Sequence, residues 1–176
     1  MPIQDAETGP ETWQQAWQKT LAALPLASFG AGETVFAQGS RTGQLFILNS
    51  GAVSVVKEGT EIARVAERGA IFGELSALLD QPHTADVRTL EPSQFHVADA
   101  TALLTRDSAA LLYVATILAQ RVDAANRALL ELKSEVDAGE PASVIDGAIG
   151  RIQGLLSAIG DGYMRAGVGL SMFPPG

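Results

Sequence analysis

The residues that could do chemistry in this chain concentrate between Ala70 and Val87, in the sequence AIFGELSALLDQPHTADV. Gly73 precedes a short helix-forming run, and the first N–H groups of a helix have no acceptor within the helix, so such a start can bind an anion. Glu74 falls in the first turn, where its carboxylate either favours the helix dipole or accepts a hydrogen bond from a ligand hydroxyl. The segment therefore predicts either an ordinary helix start or a site for an anion that also carries a hydroxyl group.

Groups typical of catalytic or metal centres are missing from the sequence. The chain has no cysteine, which excludes thiolate metal sites, iron–sulfur clusters and a cysteine nucleophile. Its two histidines, His83 and His96, do not form a metal-binding pair at helical spacing. The sequence also has neither a glycine-rich phosphate loop nor a nucleophile elbow. We therefore expect no enzyme activity and no metal cofactor.

Composition and charge restrict the partners and the location. Of the 176 residues, 47% are hydrophobic and 18% are charged, which is enough apolar material for a folded core. The formal charge of -8 argues against nucleic acid or an anionic membrane as a partner, because both require a basic surface. We find no secretory signal and no apolar run long enough for a membrane span. These observations predict a cytoplasmic protein.

The elements that must position the central segment change in character along the chain. Apolar residues at helical spacing from Trp13 to Leu24 predict a short helix that ends at Pro25 and docks an aromatic face on the rest of the domain. Short β-prone runs separated by turns come next, as is typical of a small sandwich, barrel or jelly roll. These runs lie at 34–37, 44–49, 52–57, 61–65, 85–90 and 94–97. The run from Gly73 to Leu79 lacks their alternation and predicts a short helix inserted into the β unit.

A heptad pattern begins after Ser108. Apolar residues there step alternately by four and three positions, which defines a seam of Leu111, Ala115, Leu118, Val122, Ala125, Leu129, Leu132 and Val136. Two interpretations fit this seam: it pairs with a second copy to make a homodimer through Leu111–Val136, or it packs on its own β domain. Beyond it, the Gly-rich segment 141–176 contains an amphipathic stretch from Ile145 to Ile159.

The central segment resembles the phosphate-binding cassette of the cyclic-nucleotide-binding domain family, found in catabolite-activator-type regulators, kinase regulatory subunits and gated channels. That cassette reads Phe-Gly-Glu-Leu-Ala-Leu-Leu and, after a short gap, Pro-Arg-small-Ala. The residues that fit it here are Phe72, Gly73, Glu74, Leu75, Ser76, Ala77, Leu78, Leu79, Pro82, Thr84 and Ala85. The resemblance extends over about 13–137 and includes the turns at Gly39 and Gly51.

The resemblance implies an α+β fold: a jelly-roll-like β-roll with a short N-terminal helix, an inserted cassette helix and a long C-terminal dimerisation helix. The expected divisions are a flexible N-terminus at 1–12, the β-roll with its helix at 13–107, the long helix at 108–138 and the apolar segment at 141–176. The 36 residues of that last segment are too few for a winged helix-turn-helix, so we expect no DNA-binding domain.

The resemblance also implies a role for individual residues. Glu74 would accept a hydrogen bond from the ribose 2′-hydroxyl, and the N–H groups of Gly73, Glu74 and Leu75 would face the cyclic phosphate. Thr84 would add a further phosphate contact. Asn126, next to Ala125, lies where the long helix of the family, from the same or the partner subunit, approaches the base; the alternative is an exposed asparagine that flanks the seam. The full set of predicted ligand-binding residues is Gly73, Glu74, Leu75, Ser76, His83, Thr84, Ala85, Arg121 and Asn126.

One departure from the family pattern concerns the phosphate contact, because His83 stands where the family has a phosphate-clamping arginine. Histidine is shorter and is mostly neutral at pH 7, so losing the bidentate arginine contact would cost roughly 2–4 kcal/mol of binding free energy. A protonated His83 would strengthen binding as pH falls, and Arg121 or Arg88 would compensate. The alternative interpretation is that His83 is a surface turn residue after Pro82.

These features predict a cyclic-nucleotide sensor, with cAMP expected over cGMP as the ligand. It would act through a conformational change of the long helix and through a dimer or a protein partner bound at 141–176. The alternative is a degenerate β-roll with no ligand, or with a different anion, that serves as a dimeric interaction module.

Overall fold

The structure is a computed structural model that describes residues 11–137. Its elements, in chain order, are α1 (Trp13–Ala23), β1 (Leu26–Phe29), β2 (Thr34–Phe36), β3 (Gln44–Ser50), β4 (Val53–Lys57), β5 (Thr60–Val65), β6 (Ile71–Phe72), α2 (Glu74–Leu78), β7 (Asp86–Thr89), β8 (Ser93–Asp99), α3 (Ala100–Arg106) and α4 (Ser108–Asp137). The segments 1–10 and 138–176 lie outside the described residues; they contain the Ile145–Ile159 stretch and all of the predicted flexible N-terminus except residues 11 and 12.

The strands form two four-stranded antiparallel sheets, in the orders β1-β8-β3-β6 and β2-β7-β4-β5. The fold is the α+β β-roll that the sequence predicts. Each of the six predicted strand runs contains a strand, but β1, β6 and the separate helix α3 were not predicted. The two residues of β6 pair with Phe46 and Ile47, and a strand that short has no periodicity to recognise.

Two apolar clusters hold these layers together. Between the sheets lie buried side chains from both, namely Phe36, Phe46, Leu48, Val53, Ala63, Val65, Phe72, Val87 and Phe95. The second cluster forms where the helices cover the outer face of β3 and β6, with Leu45, Ile47 and Ile71 beneath them. Because successive strand residues point to opposite faces, β3 contributes Phe46 and Leu48 to the first cluster and Leu45 and Ile47 to the second.

Helix α1 docks through its aromatic face. Thr12 and Gln15 form a capping box that fixes its first residue. The Trp17 ring stacks on Tyr113 of α4 with a centroid separation of 4.7 Å, and the Tyr113 hydroxyl donates a hydrogen bond to the Gly69 carbonyl at 2.7 Å. This confirms the prediction that the first helix docks an aromatic face on the rest of the domain, and it anchors the start of α4.

Helix α4 buries a different stripe from the predicted seam. The residues that pack on the β-roll are Ala110, Tyr113, Val114 and Ile117. Of the seam, Leu118 packs against this cluster, whereas Leu111 is 45% exposed, Val122 60% and Leu129 66%. Packing on the same domain therefore holds for Leu118 but not for Leu111 or Val122. In the described part of the chain, no single helix is long and apolar enough to span a membrane; only α3 with α4 up to Glu131, a pair bent by 108°, passes by length and composition.

Candidate functional site

A cavity of about 600 Å³ opens between α2, the sheet that contains β4 and β5, and the second half of α4. Aliphatic and aromatic side chains of the strands form its floor: Phe36, Val55, Ile62, Ala63, Val65 and Val87. Residues 70–76 and 83–85 form one wall, and Arg121, Ala124, Ala125, Ala128 and Leu129 form the other. A mostly apolar cavity with a few polar groups at one side is the usual form of a small-molecule site.

Gly73 sets the direction of α2 at this wall. Its φ of 91° is in the left-handed region that favours glycine, and a Cβ built there would lie 2.5 Å from the Gln44 carbonyl oxygen. At the other end of the helix, the Ser76 hydroxyl donates to the Gln81 carbonyl at 2.6 Å, and the Gln81 N–H donates back to the Ser76 carbonyl at 3.1 Å. The backbone between Gly73 and Gln81 is therefore held at both ends.

Glu74 is the buried charge of the site. Its side chain is only 5% exposed, and its Oε1 accepts a hydrogen bond and ion pair from Nη1 of Arg121, which is 23% exposed. Nη2 of Arg121 donates to the Ile71 carbonyl at 3.1 Å, whereas its Nε is buried without an acceptor among the described residues. The guanidinium therefore joins the first residue of β6 and the first residue of α2 to α4.

His83 lies beneath this wall and not on the surface. It is 4% exposed, its ring stacks on Phe36 at 4.0 Å, and its Nε2 is 2.9 Å from the Thr42 hydroxyl oxygen. Burial lowers the pKa of His83 below its usual 6.5, so the imidazole is neutral at pH 7. The interpretation as an exposed turn residue is therefore wrong, and a cationic clamp at neutral pH has no basis here.

The structure brings most of the predicted site residues together. Gly73, Glu74, Leu75, Ser76, His83, Thr84, Ala85 and Arg121 all line the cavity. Arg88 does not: it faces outward on β7 and pairs with Asp86 at 2.7 Å, so it cannot compensate for the missing arginine. Across residues 11–137, no group of His, Asp and Glu side chains is arranged to hold a metal ion.

Asn126 also lies outside the cavity lining. It is exposed, whereas Ala124, Ala125 and Ala128 of the same helix line the site. Its exposed side chain agrees with the interpretation of Asn126 as a residue that flanks the seam, and its approach to the base stays a prediction.

The lining also contains residues that sequence reasoning missed. The floor is supplied by β2, β4 and β5, and the wall on α4 extends to Ala128 and Leu129. One charged residue is among those missed: Lys57, the last residue of β4, lines the cavity as Val55 does. The sequence signal is the two-residue spacing from Val55 to Lys57, because strand residues two positions apart point to the same face and both of these line the cavity.

The sequence model of the cyclic nucleotide-binding domain family matches residues 26–105, which contain the roll, the cassette helix α2 and most of the cavity. Residues 26–105 belong to that family. This confirms the resemblance found in the cassette sequence. The cyclic nucleotide-binding domain accounts for both sheets, whereas Arg121 and the α4 wall lie beyond the matched residues.

The chain is similar in sequence to segments of larger proteins. The chain is 37% identical over 71 residues to a cGMP-dependent protein kinase of Eimeria tenella, and 29% identical over 79 residues to a cAMP-dependent protein kinase regulatory subunit of Yarrowia lipolytica. These matches cover 40% and 45% of this chain but only 7% and 21% of those relatives.

Solved structures of low sequence identity share the fold. A cyclic nucleotide-binding domain from Methylobacillus flagellatus gives a TM-score of 0.55 at 22% identity, covering 66% of this chain and 71% of that one. PKAR CBD2 bound to Sp-2Cl-cAMPS gives a TM-score of 0.54 at 24% identity, with coverage of 70% and 80%. These likenesses support the β-roll architecture of the cyclic nucleotide-binding domain.

Proposed function

We propose that the protein is a cyclic-nucleotide sensor in which α4 reports whether the cavity is occupied. The observation that carries this proposal is the buried pair of Glu74 and Arg121, because it joins the carboxylate that faces the cavity directly to α4. A ligand that bonds to the second carboxylate oxygen of Glu74 contacts a group that is already joined to α4, so it favours one position of that helix over another. A ligand shifts a conformational equilibrium only through such differential contacts.

The residues present fit a cyclic nucleotide in most respects. Glu74 has a second carboxylate oxygen, so it retains acceptor capacity for a ribose hydroxyl while bonded to Arg121. We assign the phosphate to the first turn of α2, at the N–H groups of Gly73, Glu74 and Leu75, and to the Thr84 hydroxyl. The apolar floor suits a planar base.

The choice of nucleotide and the route of the signal are also proposals. We expect cAMP over cGMP. Of the relatives named above, the one from Eimeria tenella is a cGMP-dependent kinase and the one from Yarrowia lipolytica is a regulatory subunit of a cAMP-dependent kinase. We further propose a homodimer through the Leu111–Val136 helix, because Leu111, Val122 and Leu129 leave an apolar stripe of α4 exposed. A protein partner at 141–176, a cytoplasmic location, and no enzymatic or DNA-binding role complete the proposal.

A second candidate function is favoured by one specific observation. His83 replaces the arginine of the cassette and is buried, stacked on Phe36 and bonded to Thr42, so it cannot reproduce a bidentate phosphate contact. On that view the β-roll is a scaffold without a cyclic-nucleotide ligand, and the exposed stripe of α4 serves a dimeric interaction module.

Calorimetric titration of the nucleotide-stripped chain with cAMP and with cGMP distinguishes the two candidates. We expect binding that Glu74→Gln weakens by about 10- to 100-fold, the scale of a hydrogen bond to a charged group. The control is Glu61→Gln, since Glu61 is a carboxylate on β5 that bonds to Ser54 and Arg64 and does not line the cavity. No heat and no thermal shift up to millimolar nucleotide would reject the sensor and favour the scaffold.

A further inference from the structure

The charged side chains that line the cavity leave one positive charge that is not neutralised within the lining. Glu74 and Arg121 neutralise each other, and burial holds His83 neutral. The remaining charged residue of the lining is Lys57. Across residues 11–137 we find no ion pair or hydrogen bond that engages its ammonium group, whereas Arg41 and Arg88 are paired with Asp80 and Asp86.

The position of Lys57 places it at the phosphate end of the cavity. Strand β4 runs antiparallel to β7, and Val56 pairs with Asp86. Lys57 is one residue further along β4, so it lies beside the segment Thr84–Ala85, which also lines the cavity. On its other side, Lys57 pairs with Thr60 of β5, so its backbone is fixed by the hairpin, and its four-carbon side chain is an exposed part of the cavity lining.

We propose that Lys57 supplies the positive charge that holds the ligand phosphate in this chain, in place of the guanidinium that the cassette lacks. The inference rests on the proposed function. An ammonium is a compact point charge without the planar fork of arginine, so it attracts the phosphate without fixing its orientation. The backbone N–H groups of the α2 start and the Thr84 hydroxyl then supply direction, and Lys57 supplies charge.

The test compares each cyclic nucleotide with its uncharged nucleoside: cAMP with adenosine and cGMP with guanosine, titrated into the full chain at low salt. Lys57→Met is expected to weaken cyclic-nucleotide binding on the order of tenfold, between the effects of an exposed and a buried charged contact. Nucleoside affinity is expected to stay unchanged, which also shows that the variant is folded. Lys57→Arg keeps the charge and is expected to retain the affinity.

A matched control is Lys19→Met, because Lys19 is on α1, pairs with Glu11 and is not part of the cavity lining. In the wild type, the affinity for the cyclic nucleotide also falls as salt is raised, and this dependence weakens in Lys57→Met. Equal loss of nucleotide and nucleoside affinity in Lys57→Met, or no loss of either, would overturn the role of Lys57 while the sensor stands. A wild type that binds no cyclic nucleotide would overturn the sensor and this inference together.

Discussion

The ion pair between Glu74 and Arg121 makes a strong prediction about stability. Arg121→Met removes the cation and leaves a carboxylate that is 5% exposed without its charged partner. Removing one partner of a buried pair costs about 3–5 kcal/mol, and the 23% exposure of Arg121 puts the expected loss in unfolding free energy at the lower end, about 3 kcal/mol. For a domain of this size that corresponds to a Tm lower by about 10 °C.

A double-mutant cycle separates this effect from lost packing. Glu74→Gln removes the buried charge, so Arg121→Met should cost less in its presence. We expect the double variant to lose about 2 kcal/mol less unfolding free energy than the sum of the two single losses. Urea unfolding of the four proteins gives this coupling directly. Arg127→Met is the control: Arg127 pairs with Asp123 on the exposed face of the same helix, and we expect no measurable change. A coupling near zero would refute the reasoning that Arg121 stabilises Glu74 through charge.

Three further predictions concern the backbone, pH and assembly. Gly73→Ala should lower the free energy of unfolding by about 3 kcal/mol or more, because the added Cβ has to accept a positive φ and also contacts the Gln44 carbonyl. Gly32→Ala, with φ 79° and open space around it, should lower it by only about 1–2 kcal/mol. Equal losses in urea unfolding would contradict the close contact at Gly73. Burial lowers the pKa of His83 in the folded state, so the unfolded state binds the proton more readily and the unfolding free energy should fall as pH drops through 6.5; a His83→Gln variant with the same decrease would contradict this. Val122→Glu, in the seam, should convert the proposed dimer to a monomer in sedimentation analysis. Leu130→Glu is the control and should leave the dimer intact, because Leu130 is also exposed but lies outside the seam. A wild type that sediments as a monomer would refute the dimer.

Local chemistry made part of this protein readable from its sequence. The cassette was recognisable because Phe72–Leu79, Pro82, Thr84 and Ala85 resemble a family pattern, while local chemistry indicated only a helix start at Gly73 and Glu74. The strands were recognisable because alternation has a period of two and turns need glycine or proline. The heptad positions of α4 were equally visible, since a helical repeat is a property of the chain itself.

The contacts that decide the chemistry of the site could not be read in this way. Arg121 was assigned to the site, but its pairing with Glu74, 47 residues away, depends on how α4 crosses the β-roll. The neutral state of His83 results from its burial, and the packing that buries it brings its Nε2 to the hydroxyl of Thr42, 41 residues away. Both depend on packing between segments that the sequence does not place beside each other.

The sequence by itself therefore determined the fold family, the helix start and the repeat of α4, because each is encoded in residues a few positions apart. Only the tertiary structure decided which stripe of α4 is buried and which is exposed. It also decided that Arg121 is committed to a carboxylate and that Lys57 lines the cavity. The physical reason is that desolvation and charge pairing act through space, so they are set once the sheets and helices have packed.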